Sequence, residues 1–148
     1  MLNILVFMKQ TFSSEEIVRI DNNQIVESDV QFVINPYDEF AVEEAVLIKE
    51  REDAEVTVVT FGPQRSETAL RTALAMGADK AVLIDSDTAG AELDEYAVSH
   101  ILAAAARRFP FDLILCGNST IDGGSAQTGP RLAELLDIPH VMAVTKVE

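Results

Sequence analysis

Short apolar runs alternating with helix-like stretches constrain this 148-residue chain more than any other feature. Residues 3–8 (NILVFM) and 55–61 (EVTVVTF) have the continuous, branched apolar character of strands covered on both faces. Residues 80–84, 112–116 and 141–147 read as three further strands. Four helical stretches fall between the five, and such alternation argues for a parallel sheet with helices on both faces. Right-handed crossovers leave few topologies. If the first three strands run outward and the fourth returns beside the first, the order is 3-2-1-4-5. A crevice then opens between the carboxyl ends of strands 1 and 4, where the winding reverses.

The expected class is therefore α/β, a Rossmann-like parallel sheet of about five strands with a small hairpin excursion after strand 1. The excursion is read from residues 17–20 and 24–26, which alternate around Asp21-Asn22-Asn23, with residues 30–34 as another extended piece. Asn35-Pro36 opens the first helix, with Asn35 suited to the N-cap and Pro36 to the first helical position. Asp38 and Glu39 complement its positive end. Tyr37, Ala41, Ala45 and Ile48 form its apolar stripe, and the acids of 39–52 a solvated face. A second helix spans 67–76 and stops at Gly77. Residues 85–92 read as a polar loop, 93–108 as an alanine-rich helix stopped by Pro110. A last helix carries Leu132, Leu135 and Leu136. No repeat or linker is visible, so residues 1–148 are expected to form one domain.

Composition narrows the function. Eleven basic against 25 acidic side chains give a net charge of −14, which repels nucleic acid and anionic lipid. No apolar run approaches the ~18 residues of a membrane span. A lone cysteine forms no internal disulfide and fits a reducing compartment, so the expected address is the cytoplasm. Residues 9–16 lack the G-x-G-x-x-G of a dinucleotide turn, and no Walker lysine motif is present.

The stretch 116–129, CGNSTIDGGSAQTG, carries the strongest chemical signal. Gly117, Gly123, Gly124 and Gly129 allow close backbone approach to a ligand. A simple strand-to-helix turn needs only ~2–6 residues, so the extra length wants an explanation, and ligand binding is favoured over a merely long glycine-rich turn. Ser125 or Thr128 caps the helix that follows. Its free N–H groups, with the Gln127 amide and the Thr128 hydroxyl, are what a phosphate would meet. Lys9 lies across the same crevice. Asp122 is either a turn residue or a ribose or Mg²⁺ contact. Cys116 reads as a small hydrophobe, and neither His100 nor His140 has a partner that would suggest hydrolase chemistry. No catalytic residue or metal site is expected.

Four segments in order, 6–10 (VFMKQ), 35–45 (NPYDEFAVEEA), 71–79 (RTALAMGAD) and 117–129, resemble the β subunit of electron transfer flavoproteins. The resemblance implies a heterodimer with an α subunit that carries electrons between flavin dehydrogenases and an acceptor through FAD held mainly by the α subunit. It implies an adenine nucleotide in the β-subunit crevice. Carried over by position, the pocket uses the backbone near Phe7, then Asn35, Thr60 and Phe61, and the loop from Cys116 and Gly117 through Asn118 and Ser119 to Thr128. The phosphate lies against Ala126, Gln127 and Thr128.

Two departures matter. AMP-binding members usually have an acid-rich loop with Asn before Gln-Thr-Gly. Here Gly123, Gly124 and Ala126 stand in those places and Pro130 follows Gly129. This form resembles the branch that places a second FAD in the β pocket for electron bifurcation, so FAD is favoured over AMP. Family members also continue past the fifth strand, so the chain is expected to be incomplete at its C-terminus relative to the family. The rival from another class is a nucleotide-binding sensor like the universal stress proteins, which share the topology but lack the 35–45 segment.

Overall fold

A computed structural model describes residues 1–90 and 93–147. Its centre is a four-stranded parallel sheet in the order β7-β6-β1-β8. β1 is Leu2–Phe7, β6 Ala54–Gly62, β7 Lys80–Asp85 and β8 Leu113–Cys116. This is the expected 3-2-1-4 order. β1 pairs with both β6 and β8, and Phe7 stands opposite Val59 on one side and Cys116 on the other. The carboxyl ends of β1 and β8 therefore finish side by side at the point where the winding reverses.

Alternation along β1 divides the core in two, because successive side chains leave opposite faces of a strand. Ile4, Val6 and Met8 join Val56, Val58 and the apolar faces of α1 (Pro36–Arg51) and α2 (Glu67–Met76). Leu5 and Phe7 join Val59 and residues of α3 (Glu95–Ala106) and α4 (Thr128–Leu136). Ala41, Ala45, Ala69 and Ala73 on one face, and Ala103 and Ala106 on the other, let the helices lie close to the sheet. Gly77 ends α2 at φ +125°, a conformation that costs any other residue strain.

Four expectations need correction. Residues 141–147 form no strand; Val141 is 83% exposed and Ala143 has φ +55°. Their alternation suits a strand, but among the described residues they pair with no ladder, and β8 is left as an edge of the sheet. Tyr37 is exposed, and the buried stripe of α1 instead runs Asp38, Ala41, Val42, Ala45 and Ile48. Residues 9–16, for which no strand is expected, contain β2 (Gln10–Phe12), which pairs antiparallel with β5 (Phe32–Ile34). The hairpin is shorter than its pattern: β3 (Ile20–Asp21) and β4 (Gln24–Ile25) are joined through Asn22 and Asn23, both at positive φ. Of the polar loop read at 85–92, residues 91 and 92 lie outside the described residues.

Candidate functional site

The end of β1 and the glycine loop meet as the topology requires. Lys9 follows β1, and its Nζ reaches the Asp122 carboxylate at 2.7 Å. Partial burial pulls the Asp122 carboxyl up, but the Lys9 ammonium and the Thr120 hydroxyl outweigh it and hold the group below its usual range. Asp122 also accepts from the Gly123 N–H at 2.7 Å. It is thus a turn residue and the partner of Lys9.

Beside this pair lies a cleft of about 320 Å³ whose lining includes Lys9, Thr11, Phe12, Phe61, Gly62, Arg65 and Asp122. Arg65 is fixed rather than free. Its guanidinium donates to Gln10 Oε1 at 2.6 Å and to Glu27, and it stacks 3.8 Å over the Phe32 ring. The Thr11 and Thr60 hydroxyls are buried without a hydrogen-bond partner within the protein. Orphaned hydroxyls at this depth cost free energy unless something satisfies them.

The loop itself is held from α1. Asn35 begins the helix, but its side chain makes no capping bond. Instead its Nδ2 donates to Ser119 O at 2.8 Å and its Oδ1 accepts from the Ile121 N–H at 3.1 Å. Asp38, 5% exposed, accepts from the Lys9 N–H at 2.8 Å and the Gly117 N–H at 2.9 Å. At Gly117 a side chain would strike the Asp38 carboxylate and lie 2.7 Å from backbone of Tyr37 and Asp38, so only glycine passes. Gly124 turns at φ +67° with open space where a side chain would stand, its N–H bonded to Thr120 O at 2.9 Å. Ala126, also at positive φ (+54°), brings the chain to α4.

Neither Ser125 nor Thr128 caps α4. Gln127 occupies the cap position without a side-chain capping bond, because its Oε1 accepts from Arg131 at 2.8 Å. The first N–H groups of α4 consequently have no side-chain cap, and Gly129 beside them faces open space.

Of the residues expected at the site, Lys9, Phe61 and Asp122 line the cleft. Phe7 is packed in the core, Thr60 is buried in β6, and Cys116 closes β8. Burial and the nearby Asp38 carboxylate push the Cys116 thiol up to about 12, so it is no nucleophile near neutrality. Asn118, Gly123 and Gly124 are exposed on the loop. The sequence reading missed Asp38, Thr11 and Arg65. Asp38 carried a signal, an acid three residues after Asn35, but that pattern equally serves a helix start.

Among the described residues no cluster of His, Cys, Asp or Glu could hold a metal, and no helix is long and apolar enough to cross a membrane. A doubly wound sheet with a glycine-rich loop over its switch point defines a Rossmann-like α/β protein. Comparison with known proteins makes this specific. Residues 22–148 match the electron transfer flavoprotein domain, and the chain belongs to that family, on its β-subunit side. It is 48% identical over 147 residues to the electron transfer flavoprotein subunit beta of Bacillus subtilis (strain 168), covering 99% of this chain and 57% of that protein. The subunit beta of Thermoanaerobacterium thermosaccharolyticum is 47% identical, with 99% and 56% covered. Protein FixA of Azotobacter vinelandii is 42% identical, with 99% and 53% covered. The chain spans about half the length of these relatives.

Proposed function

We propose that this chain holds an adenine nucleotide, AMP or FAD, at the crevice between β1 and β8, as the nucleotide-binding portion of an electron transfer flavoprotein β subunit. The single observation that carries the reading is the glycine loop fixed above the switch point beside a cleft of about 320 Å³. Three features suit the ligand. The uncapped start of α4 offers N–H groups and a positive dipole end to a phosphate. Lys9, paired with Asp122, stands at the cleft in a chain of net charge −14, and Phe12 and Phe61 in the lining offer apolar surface to a ring system. The open space at Gly124 and Gly129 leaves room for a diphosphate, and this favours FAD over AMP. A bound flavin would supply the electron-accepting and electron-donating group; the residues of this chain position and enclose it.

In the same reading the chain pairs with an α subunit and serves flavin dehydrogenases in the cytoplasm, with no bond-making chemistry of its own. The test is the absorbance spectrum of the purified protein and identification of any nucleotide released on denaturation. AMP or FAD supports the proposal; ATP with no flavoprotein partner overturns it. Gly124→Val places a branched side chain at φ +67°. Nucleotide retention is expected to be lost while the strain at this one residue lowers the thermal midpoint by only several degrees, and retained nucleotide in that variant contradicts the placement of the phosphate.

A further inference from the structure

We propose that Asp38 is the positioning residue of this crevice: its carboxylate ties the ends of β1 and β8 to the first turn of α1 and so shapes the loop that receives the nucleotide. The inference rests on the nucleotide reading above and adds to it a residue outside the glycine loop.

Each carboxylate oxygen has its own task. Oδ2 accepts from the Lys9 N–H and Oδ1 from the Gly117 N–H. These amides belong to the residues that follow the two strands, where the crevice opens. Asn35, one turn earlier, holds Ser119 and Ile121. Three hydrogen bonds from one helical turn thus fix residues 117–121, and a fourth holds the Lys9 amide. Gly117 completes the arrangement, since its lack of a side chain lets the carboxylate reach the amide.

The groups facing Asp38 are few. From β1 comes Lys9, whose ammonium is engaged by Asp122; from β8 comes the neutral Cys116 thiol; from α1 itself comes the Asn35 amide. Burial therefore dominates and raises the Asp38 carboxyl to about 6, against the two N–H donors, Asn35 and Lys9. Protonation turns one acceptor oxygen into a hydroxyl whose hydrogen meets an N–H, so one of the two ties fails. Nucleotide binding should consequently weaken as pH falls through 6, by at most about tenfold per unit.

AMP is the part common to both candidate ligands, and its equilibrium binding is measured from pH 5 to 8 on the chain and on Asp38→Asn. The AMP phosphate itself titrates near pH 6, equally for both proteins, so the difference between the profiles isolates Asp38. The expected result is roughly tenfold weaker binding by Asp38→Asn at pH 7.5, converging with wild type by pH 5. Parallel profiles overturn the positioning role while leaving the nucleotide reading intact. No AMP or FAD binding by wild type at any pH removes that reading and this inference with it. Should Asp38→Asn fail to fold, the ¹³C titration of the Asp38 carboxyl in wild type decides the matter. By linkage, saturating AMP must lower its midpoint; an unmoved midpoint overturns the proposal.

Discussion

The two ends of α1 are each fastened by a carboxylate, one buried and one exposed, and the two fastenings behave in opposite ways. At the C-terminal end, Asp79 accepts from Lys49 Nζ at 2.5 Å and from the Val56 N–H at 2.9 Å, and Lys49 also donates to Gly77 O. Partial burial raises the Asp79 carboxyl, but Lys49 and the Val56 amide outweigh it, and the group stays below its ordinary value. At the N-terminal end, Asp38 is deeper, the ammonium of Lys9 is turned to Asp122 while only its N–H reaches Asp38, and burial raises the carboxyl to about 6. The far end of the helix is built for stability. The crevice end keeps a costly buried charge, which is what a site that must hold backbone amides in one arrangement requires.

Breaking the crevice-end fastening should produce the largest effect. Gly117→Val drives a side chain into Asp38 and the backbone of residues 37 and 38, and urea unfolding is expected to show a loss of about 3 kcal/mol, the upper part of the overpacking range. A loss under about 1 kcal/mol would mean that the loop and helix are not pressed together as described.

Next in size is the pH dependence of stability. Below pH 3.8 both folded and unfolded Asp38 hold a proton, above 6 neither does, and between them the folded state binds more. Its contribution therefore falls as pH rises through that window, by about 3 kcal/mol at most. Asp79 runs the other way: its contribution is present above 3.8 and is lost as pH falls through its lowered folded value. Denaturant midpoints for wild type and Asp38→Asn should diverge between pH 4 and 6.5, with the wild type alone losing stability on the way up. Coincident curves would erase the contrast between the two carboxylates.

The smallest expected change is Lys49→Met. Both partners are about one-third exposed, so solvent screens the pair, and the loss should stay at about 0.5–1 kcal/mol. Its more telling readout is the acid limb of the stability curve, where unfolding should move to higher pH as Asp79 loses its cation. Nucleotide binding should be untouched, since this end of α1 lies away from the crevice.

Much of the fold could be read along the chain because it rests on local signals. The span 67–76 of the second helix, the Gly77 stop and the order of the first four strands follow from periodicity, capping chemistry and crossover handedness. The fifth strand was misjudged for a definite reason. Alternation states that a segment could be a strand, but a strand exists only when it pairs with a ladder, and among the described residues 141–147 pair with none, leaving the outer edge of β8 open. The hairpin shortened for the same cause: only Ile20–Ile25 and Asp21–Gln24 pair.

At the site, the sequence alone determined where the glycine loop lies, that Lys9 faces it across the switch point, and which family the residues resemble. Glycine count, loop length and strand order are properties of the chain itself. Tertiary structure decided what holds the loop. Asn35 and Asp38 act on partners 79 to 86 positions away, besides the Lys9 amide 29 positions back. A polar residue at a helix start looks the same whether it caps its own helix or clamps a distant one. Which it does depends on what the fold brings within about 3 Å of its oxygen atoms.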